Sequence, residues 1–207
     1  MTEQKQKDTI IRLDDTRIAF PVLWVPEQVG GQGKPAYSAT FLMTPEHPAI
    51  ALLKEGITKV AVAKWGDEAG AILQQLVASD RVCLRNGNGK ANYDGFAGNM
   101  YVSARGYTRP LVIAADKSAL LAEDGKPYSG CFVNGQVSIW AQANQYGKRI
   151  NAQLGGVQFL RDGDSFGGGH VADVSEFDTV NEGGADAEAP MAATGGGDPL
   201  AGLDSLI

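Results

Sequence analysis

Apolar and polar residues alternate along most of the first 161 residues of the chain. Within residues 36–44, Tyr37, Phe41 and Met43 fall on one face, and Ser38 and Thr40 fall on the other. A period of two residues is typical of a strand with one buried face. The same alternation recurs in residues 97–110 and 131–142, and residues 9–27 are rich in β-branched and aromatic residues. The pattern therefore predicts a chain dominated by β-strands.

Residues 44–78 change to a helical period. Thr44 is the predicted cap of a first helix with Pro45 at its first position, and Asp67 is the predicted cap of a second helix. Apolar residues then recur every three or four positions, which predicts two stripes that face the core. These stripes contain Ile50, Leu53, Ile57 and Val60 in the first helix, and Ala69, Ile72, Leu73, Leu76 and Val77 in the second.

Strands, a helical insert and further strands joined by short turns indicate a mostly β (α+β) fold. The segment 144–148 is a predicted hairpin turn, and residues 149–160 are the predicted returning strand. An antiparallel barrel of the OB type fits this order best, since such barrels bind polymers on a strand face and adjoining loops. A β-sandwich is the alternative.

The charge is distributed unevenly along the chain. All 18 Lys and Arg residues lie in residues 1–161, which carry a net charge of +4, whereas residues 162–207 carry ten acids and no Lys or Arg. Ten glycines accompany those acids, so the segment lacks the apolar residues that would offset its ordering entropy. We predict a folded domain over residues 1–169 and a disordered acidic tail over residues 170–207.

Several functional classes are disfavoured by the sequence. No apolar run approaches the roughly 18 residues of a membrane span, and the polar start resembles no secretory signal. Cys83 and Cys131 are predicted to be buried and reduced, and with only two histidines they make a poor metal site. Residues 163–167 match the G-x-S-x-G nucleophile pattern but lack the following helix that this pattern requires. We therefore expect no enzyme activity, no cofactor and no metal.

Aromatic and cationic residues occur together on the predicted outward faces. Single-stranded nucleic acid offers bases that stack on aromatic rings and phosphates that attract Lys and Arg. The alternative interpretation is an ordinary solvated face. The predicted DNA-binding residues are Lys90, Tyr93, Tyr101, Arg105, Tyr107, Arg109, Trp140, Tyr146, Lys148 and Arg149, and Asn99, Gln136, Gln142 and Asn144 are candidate donors to sugar or phosphate.

The last ten residues place leucines among acids, a pattern that predicts a short peptide for docking to a partner protein. The predicted docking residues are Asp198, Leu200, Leu203, Asp204, Leu206 and Ile207.

Short blocks spread over most of residues 10–169 resemble phage-encoded single-stranded DNA-binding proteins with an OB fold. The blocks are Tyr93-Asp94-Gly95-Phe96-Ala97-Gly98, Met100-Tyr101-Val102-Ser103-Ala104, Thr108-Arg109-Pro110, Tyr128-Ser129-Gly130-Cys131, and Leu160-Arg161-Asp162-Gly163 with Gly167-Gly168. The resemblance implies that the protein coats single-stranded DNA in phage replication, recombination and repair, in the cytoplasm of the infected bacterial host. It also implies that the acidic tail restrains DNA binding and recruits replication or recombination proteins, although related tails often end in an aromatic residue.

Weak binding of double-stranded DNA is expected only once the tail is removed, and RNA stays an open alternative to DNA. Two other functional classes also stay open. One is a non-catalytic phage structural or assembly protein that docks through its acidic tail. The other is an enzyme whose catalytic residues match none of the motifs considered above.

Overall fold

The computed structural model describes residues 9–28 and 33–167. These residues contain seven strands: β1 (Ile10–Glu27), β2 (Ala36–Met43), β3 (Leu84–Asn86), β4 (Met100–Gly106), β5 (Leu111–Ile113), β6 (Phe132–Asn144) and β7 (Gly147–Arg161). Two helices follow β2, namely α1 (Pro48–Trp65) and α2 (Ala69–Ala78). The predicted docking residues and the whole predicted tail, residues 170–207, lie outside the described residues.

Five of the strands close into a barrel. The order β4-β2-β1-β6-β7 is antiparallel throughout, and a parallel pairing of Ala104 with Ala152 joins β4 to β7. The long strand β1 pairs with β6 through its first half and with β2 through its second half. Closure of the sheet confirms the predicted OB-type barrel with a helical insert and excludes the β-sandwich.

The barrel interior is filled by the alternating apolar residues of the sequence. Val133, Val137 and Ile139 are buried, as the alternation predicts, and Phe41 from β2 is fully enclosed. Gly135 makes room for this ring, because a Cβ atom at Gly135 would lie 2.5 Å from the Phe41 side chain.

The helical insert begins later than predicted. His47 caps α1, since its Nδ1 atom accepts from the Ala49 amide at 3.2 Å, and Pro48 occupies the first helical position. Residues 44–47 instead form a turn in which the His47 amide donates to the Thr44 carbonyl. The prediction of Thr44 as cap and Pro45 as first residue was therefore wrong. Either Pro45 or Pro48 could begin the helix, and the capping hydrogen bond of His47 places the start at Pro48.

The second helix also departs from the prediction. A 3₁₀ turn at Gly66–Glu68 precedes α2, so Asp67 lies in that turn and does not cap the helix. Ile72 and Leu76 face the core as predicted, whereas Val77 is 64% exposed.

Residues 162–167, which follow β7, pack against the barrel. The Tyr128 hydroxyl donates to the Asp162 carboxylate and accepts from the Gly163 amide, and the Phe166 amide donates to the Ser129 carbonyl. These bonds hold residues 162–167 against the barrel.

A small second cluster covers part of the outer barrel surface. Ala19, Leu42, Phe96 and Tyr101 are buried there, and Phe166 packs against them. This cluster lies at the end of the barrel where β4 begins, and it determines which outward residues are accessible.

Candidate nucleic-acid interface

A groove of about 570 Å³ runs over the outer barrel surface where the end of β4 meets the β6–β7 hairpin. Cys83 and three residues of β7, Ile150, Asn151 and Ala152, contribute to its floor. The other lining residues are Arg85, Ser103, Arg105, Tyr107, Trp140, Gln142, Tyr146 and Arg149.

Five of the ten predicted DNA-binding residues line this groove together. They come from two distant parts of the chain, with Arg105 and Tyr107 near the end of β4 and the others on the hairpin. The rings are open to solvent, since Trp140 is 44%, Tyr107 70% and Tyr146 76% exposed. The five residues are Arg105, Tyr107, Trp140, Tyr146 and Arg149.

The hairpin is built so that Tyr146 stands at its tip. Asn144 pairs with Gly147 across the turn, and Gly147 has a φ of 94° that favours glycine. The Asn144 side-chain oxygen accepts from the Tyr146 amide at 2.9 Å and from the Gln142 amide group at 3.1 Å. Gln142 in turn accepts from Asn151 at 3.2 Å. This chain of amides fixes the turn relative to the groove floor.

The groove is positively charged. Arg85, Arg105 and Arg149 line it, and none of its lining residues is acidic. The Arg105 guanidinium donates to the Lys34 carbonyl at 2.9 Å and lies 6.0 Å from the centre of the Tyr107 ring. An arginine anchored beside an exposed ring can contact a phosphate while a base stacks on the neighbouring ring.

Two arginines, one lining the groove and one beside the hairpin turn, were missed from the sequence. Arg85 lies on the short strand β3, where its Nε donates to the Val82 carbonyl at 2.8 Å. Arg81 reaches under the hairpin, with its Nη1 atom 3.5 Å from the Tyr146 carbonyl oxygen. Three-residue β3 is too short to show an alternating pattern, and Arg81 lies outside any strand, so the sequence carried no signal that would assign either residue to this face.

Tyr101 is buried and does not line the groove. Its side chain points to the outer side of β4, as the alternation predicts, but it is only 4% exposed. The Phe96 ring covers it at a centroid distance of 5.2 Å. The prediction of an accessible Tyr101 was therefore wrong, because a loop that follows β3 packs over this end of the strand.

The four other predicted residues lie apart from the groove lining. Lys90 sits beside the buried second cluster, with its Nζ atom 5.2 Å from the Tyr101 ring centre, and Tyr93 borders a different cavity. The Arg109 guanidinium lies 5.3 Å from the Trp24 ring centre. Lys148 is exposed on the hairpin opposite Ala143 but does not line the groove.

Cys83 is buried at the groove floor, and Cys131 is buried elsewhere. Burial raises the pKa of the Cys83 thiol to about 11 and also raises the pKa of the Cys131 thiol. Both side chains are therefore protonated near neutral pH, and neither thiol is activated as a nucleophile.

The nucleophile-like pattern at residues 163–167 has a structural role here. Its backbone passes close to Gly130, where a Cβ atom would overlap the Asp164 carbonyl, and its Phe166 ring packs on the second cluster. Within residues 9–28 and 33–167, no group of three or more His, Cys, Asp or Glu side chains could hold a metal ion. No helix in these same ranges is long and apolar enough to cross a bilayer.

Comparisons with known proteins connect this geometry to a family. A family model described as "Enterobacter phage Enc34, ssDNA-binding protein" matches residues 9–189. "Putative protein p50" of Acyrthosiphon pisum secondary endosymbiont phage 1 is 46% identical over 174 residues, which cover 83% of this chain and 94% of that protein.

Solved structures show the same fold. The single-stranded DNA-binding protein from bacteriophage Enc34 in complex with ssDNA superposes with a TM-score of 0.68 at 28% identity, and the match covers 78% of this chain and 91% of that one. Gp2.5, a single-stranded DNA-binding protein encoded by bacteriophage T7, has a TM-score of 0.52 at 16% identity, covering 86% and 98% of the two chains. At that identity the T7 protein supports the fold alone.

Proposed function

The chain belongs to the Enc34 family of phage single-stranded DNA-binding proteins, and from this premise we propose that it binds single-stranded DNA without sequence readout, in the groove between β4 and the β6–β7 hairpin. Its role is to coat and protect single strands during phage DNA replication, recombination and repair, in the cytoplasm of the infected host. The observation that carries the proposal is the exposed Trp140 ring in a groove that holds three arginines and lacks acids.

The mechanism is stacking combined with counterion release. Trp140, Tyr107 and Tyr146 present ring faces on which successive bases can stack, and each stacked base contributes about 1–3 kcal/mol. Arg85, Arg105 and Arg149 neutralise phosphates, which releases condensed counterions and makes the affinity salt-dependent. Rings and phosphates are common to all sequences, so this chemistry does not discriminate between bases. It requires no catalytic group.

A fluorescence titration tests the groove directly. The chain has three tryptophans, and Trp24 and Trp65 are only partly buried. Replacing Trp24 and Trp65 by phenylalanine leaves Trp140 as the sole tryptophan, and the Trp65 change removes a buried Nε1 that has no hydrogen-bond partner. We expect an oligothymidine to quench Trp140 emission and a high salt concentration to reverse this quenching.

Trp140→Ala gives the matching affinity measurement. Loss of one stacked base should weaken binding of a labelled oligothymidine by about five- to 150-fold, which corresponds to 1–3 kcal/mol. The folded state should be unaffected, because the Trp140 side chain faces out of the barrel. Absence of quenching, together with wild-type affinity for Trp140→Ala, would contradict the proposed groove. Binding that is insensitive to salt would favour a protein-docking role instead.

The acidic tail is proposed to restrain DNA binding and to recruit replication or recombination proteins. The eight acids of residues 170–207 oppose a net charge of +2 on residues 1–169. A flexible tether keeps its charges near a cationic groove at roughly millimolar effective concentration, enough to compete with weakly bound DNA. This proposal rests on charge complementarity and on the composition of the tail.

Truncation to residues 1–169 tests the tail. We expect the shortened protein to bind single-stranded DNA more tightly than the full chain at low salt, and to bind duplex DNA weakly. The difference should shrink as salt screens the tail over about 8–10 Å. A second truncation that removes only residues 203–207 should preserve DNA affinity and abolish docking to a partner. Weaker binding by residues 1–169 at low salt would refute competition by the tail.

A further inference from the structure

Phe20 and Tyr93 form an exposed aromatic pair at a place that the groove does not include. Their ring centroids are 5.5 Å apart, and the planes meet at 89° in an edge-to-face arrangement. Phe20 is 50% and Tyr93 47% exposed, so half of each apolar surface remains in water. Phe96 supports both rings from below, at 6.0 Å from each centroid.

The backbone at Phe20 is strained in order to present its ring. Phe20 has a φ of 50°, a region that bulky residues rarely adopt. The β1–β2 register shifts between Ala19 and Val22, and the Phe20 amide leaves the ladder to donate to the Ser129 hydroxyl at 3.2 Å. A half-exposed ring gains little from burial to offset this strain. Such strain often marks a position held for function.

The aromatic pair borders a cavity of about 310 Å³ that has polar groups at its edge. Asn92, Asp94 and Ser129 supply those groups, and the Phe166 ring closes one side. The Asp94 carboxylate accepts from the Gly167 amide at 2.9 Å. Apolar ring faces with amide and hydroxyl groups nearby suit a planar nucleobase, while the Asp94 charge makes the cavity a poor phosphate site.

The cavity and the exposed rings of the groove lie toward opposite ends of β4. Tyr101, which packs beneath the aromatic pair against Phe96, is near the start of the strand, and Tyr107 of the groove follows its end. Six residues of strand separate them, which is about 20 Å at the usual rise per residue. A single strand that stacks on Tyr107 must therefore extend by several nucleotides along the groove to reach the cavity. Single OB folds bind about 4–16 nucleotides, so this span is within the usual range.

We propose that Phe20 and Tyr93 form a second nucleobase subsite, which only a strand longer than the groove can occupy. The inference rests on the proposed function, because it assumes that the groove holds the first part of the strand. The second subsite adds one stacked base to long ligands and nothing to short ones. It also gives a role to Tyr93, which the groove leaves out.

Comparison of two ligand lengths tests this subsite in the full chain. Affinities for labelled oligothymidines of about six and about 16 nucleotides are measured by anisotropy for wild type, Phe20→Ala and Tyr93→Ala. We expect both variants to bind the short ligand as wild type does and to bind the long ligand about five- to 150-fold more weakly. Val25→Ala is the matched control, since Val25 is a 73% exposed apolar residue of the same strand.

Phe20→Gly guards against a folding artefact, because glycine adopts the positive φ at this position without strain. It should fold at least as well as Phe20→Ala and show the same loss of long-ligand affinity. Wild-type affinity of all the folded variants for the long ligand would overturn the subsite, as would an equal loss for both lengths. Failure of the groove has a different signature, namely wild-type affinity of Trp140→Ala for the short ligand.

Discussion

Replacing Tyr101 and Tyr107 by alanine, one at a time, is expected to separate folding from DNA binding. The two tyrosines share the outer side of one strand path, but Tyr101 is 4% and Tyr107 70% exposed. Tyr101 packs against Phe96 and Leu42, so its removal leaves a cavity beneath the loop that covers it. Loss of a buried aromatic ring costs about 3–5 kcal/mol, a large fraction of the stability of a typical domain.

Tyr107→Ala should show the opposite behaviour. An exposed substitution changes the free energy of unfolding by about 0.5 kcal/mol or less, whereas a lost stacking partner weakens DNA binding by about 1–3 kcal/mol. Urea unfolding followed by circular dichroism measures the first quantity, and oligothymidine anisotropy under native conditions measures the second. Tyr107→Phe is the conservative control, because it keeps the ring face and should retain most of the affinity.

Two results would contradict this expected separation of stability from DNA affinity. A stable Tyr101→Ala protein with weakened DNA binding would mean that the loop does not cover Tyr101 in solution. A Tyr107→Ala protein with wild-type affinity, together with an unaffected Trp140→Ala, would remove the stacking mechanism from this groove.

Three further predictions follow from particular side chains. Arg149→Gln should flatten the slope of log affinity against log salt by about 0.7 for single strands, while Lys64→Gln on the exposed side of α1 should leave it unchanged. Since the raised pKa values keep Cys83 and Cys131 protonated, both thiols should react with Ellman's reagent at pH 8 only after unfolding in urea; rapid reaction of the native protein would contradict their burial. Gly135→Ala should destabilise the barrel by about 1–3 kcal/mol in urea, because a Cβ atom there meets an enclosed ring, and a neutral result would show that this ring can move aside.

The barrel was predictable because its strands obey a simple period. Val133, Val137 and Ile139 alternate with outward Trp140 as the two-residue repeat requires, and each buried assignment is confirmed. Helix starts were less predictable. Either of two prolines could occupy the first position, and the capping contact of His47, which also bonds the Asp14 carbonyl from a distant strand, cannot be read locally.

The sequence predicted the kind of side chains at the candidate site, aromatic rings beside arginines, but only some of the residues that line it. Alternation separates the two faces of β4 correctly, but it cannot show that the loop carrying Phe96 covers the outer face at Tyr101. Tertiary structure brings Arg85, from a strand of three residues, to the groove lining, and Arg81, which follows α2, to the β6–β7 turn beside it. The exposed position of the Phe20 ring depends on an irregularity in the β1–β2 pairing, and the apolar sequence around Phe20 gives no sign of it.

The arginines of the groove would attract any nucleic acid, whether single-stranded or duplex. Under the proposed function, a preference for single strands must come from the exposed rings of the groove. Trp140, Tyr107 and Tyr146 offer ring faces that only unstacked bases can cover, whereas the bases of a duplex already stack on one another. Duplex binding by this groove would therefore depend on its arginines alone. Removal of the Trp140 ring should reduce affinity for single strands and leave any duplex affinity of residues 1–169 unchanged, while Arg149→Gln should reduce both. If Trp140→Ala weakened duplex and single-strand binding equally, the ring would act by shaping the groove, and preference for single strands would need another source.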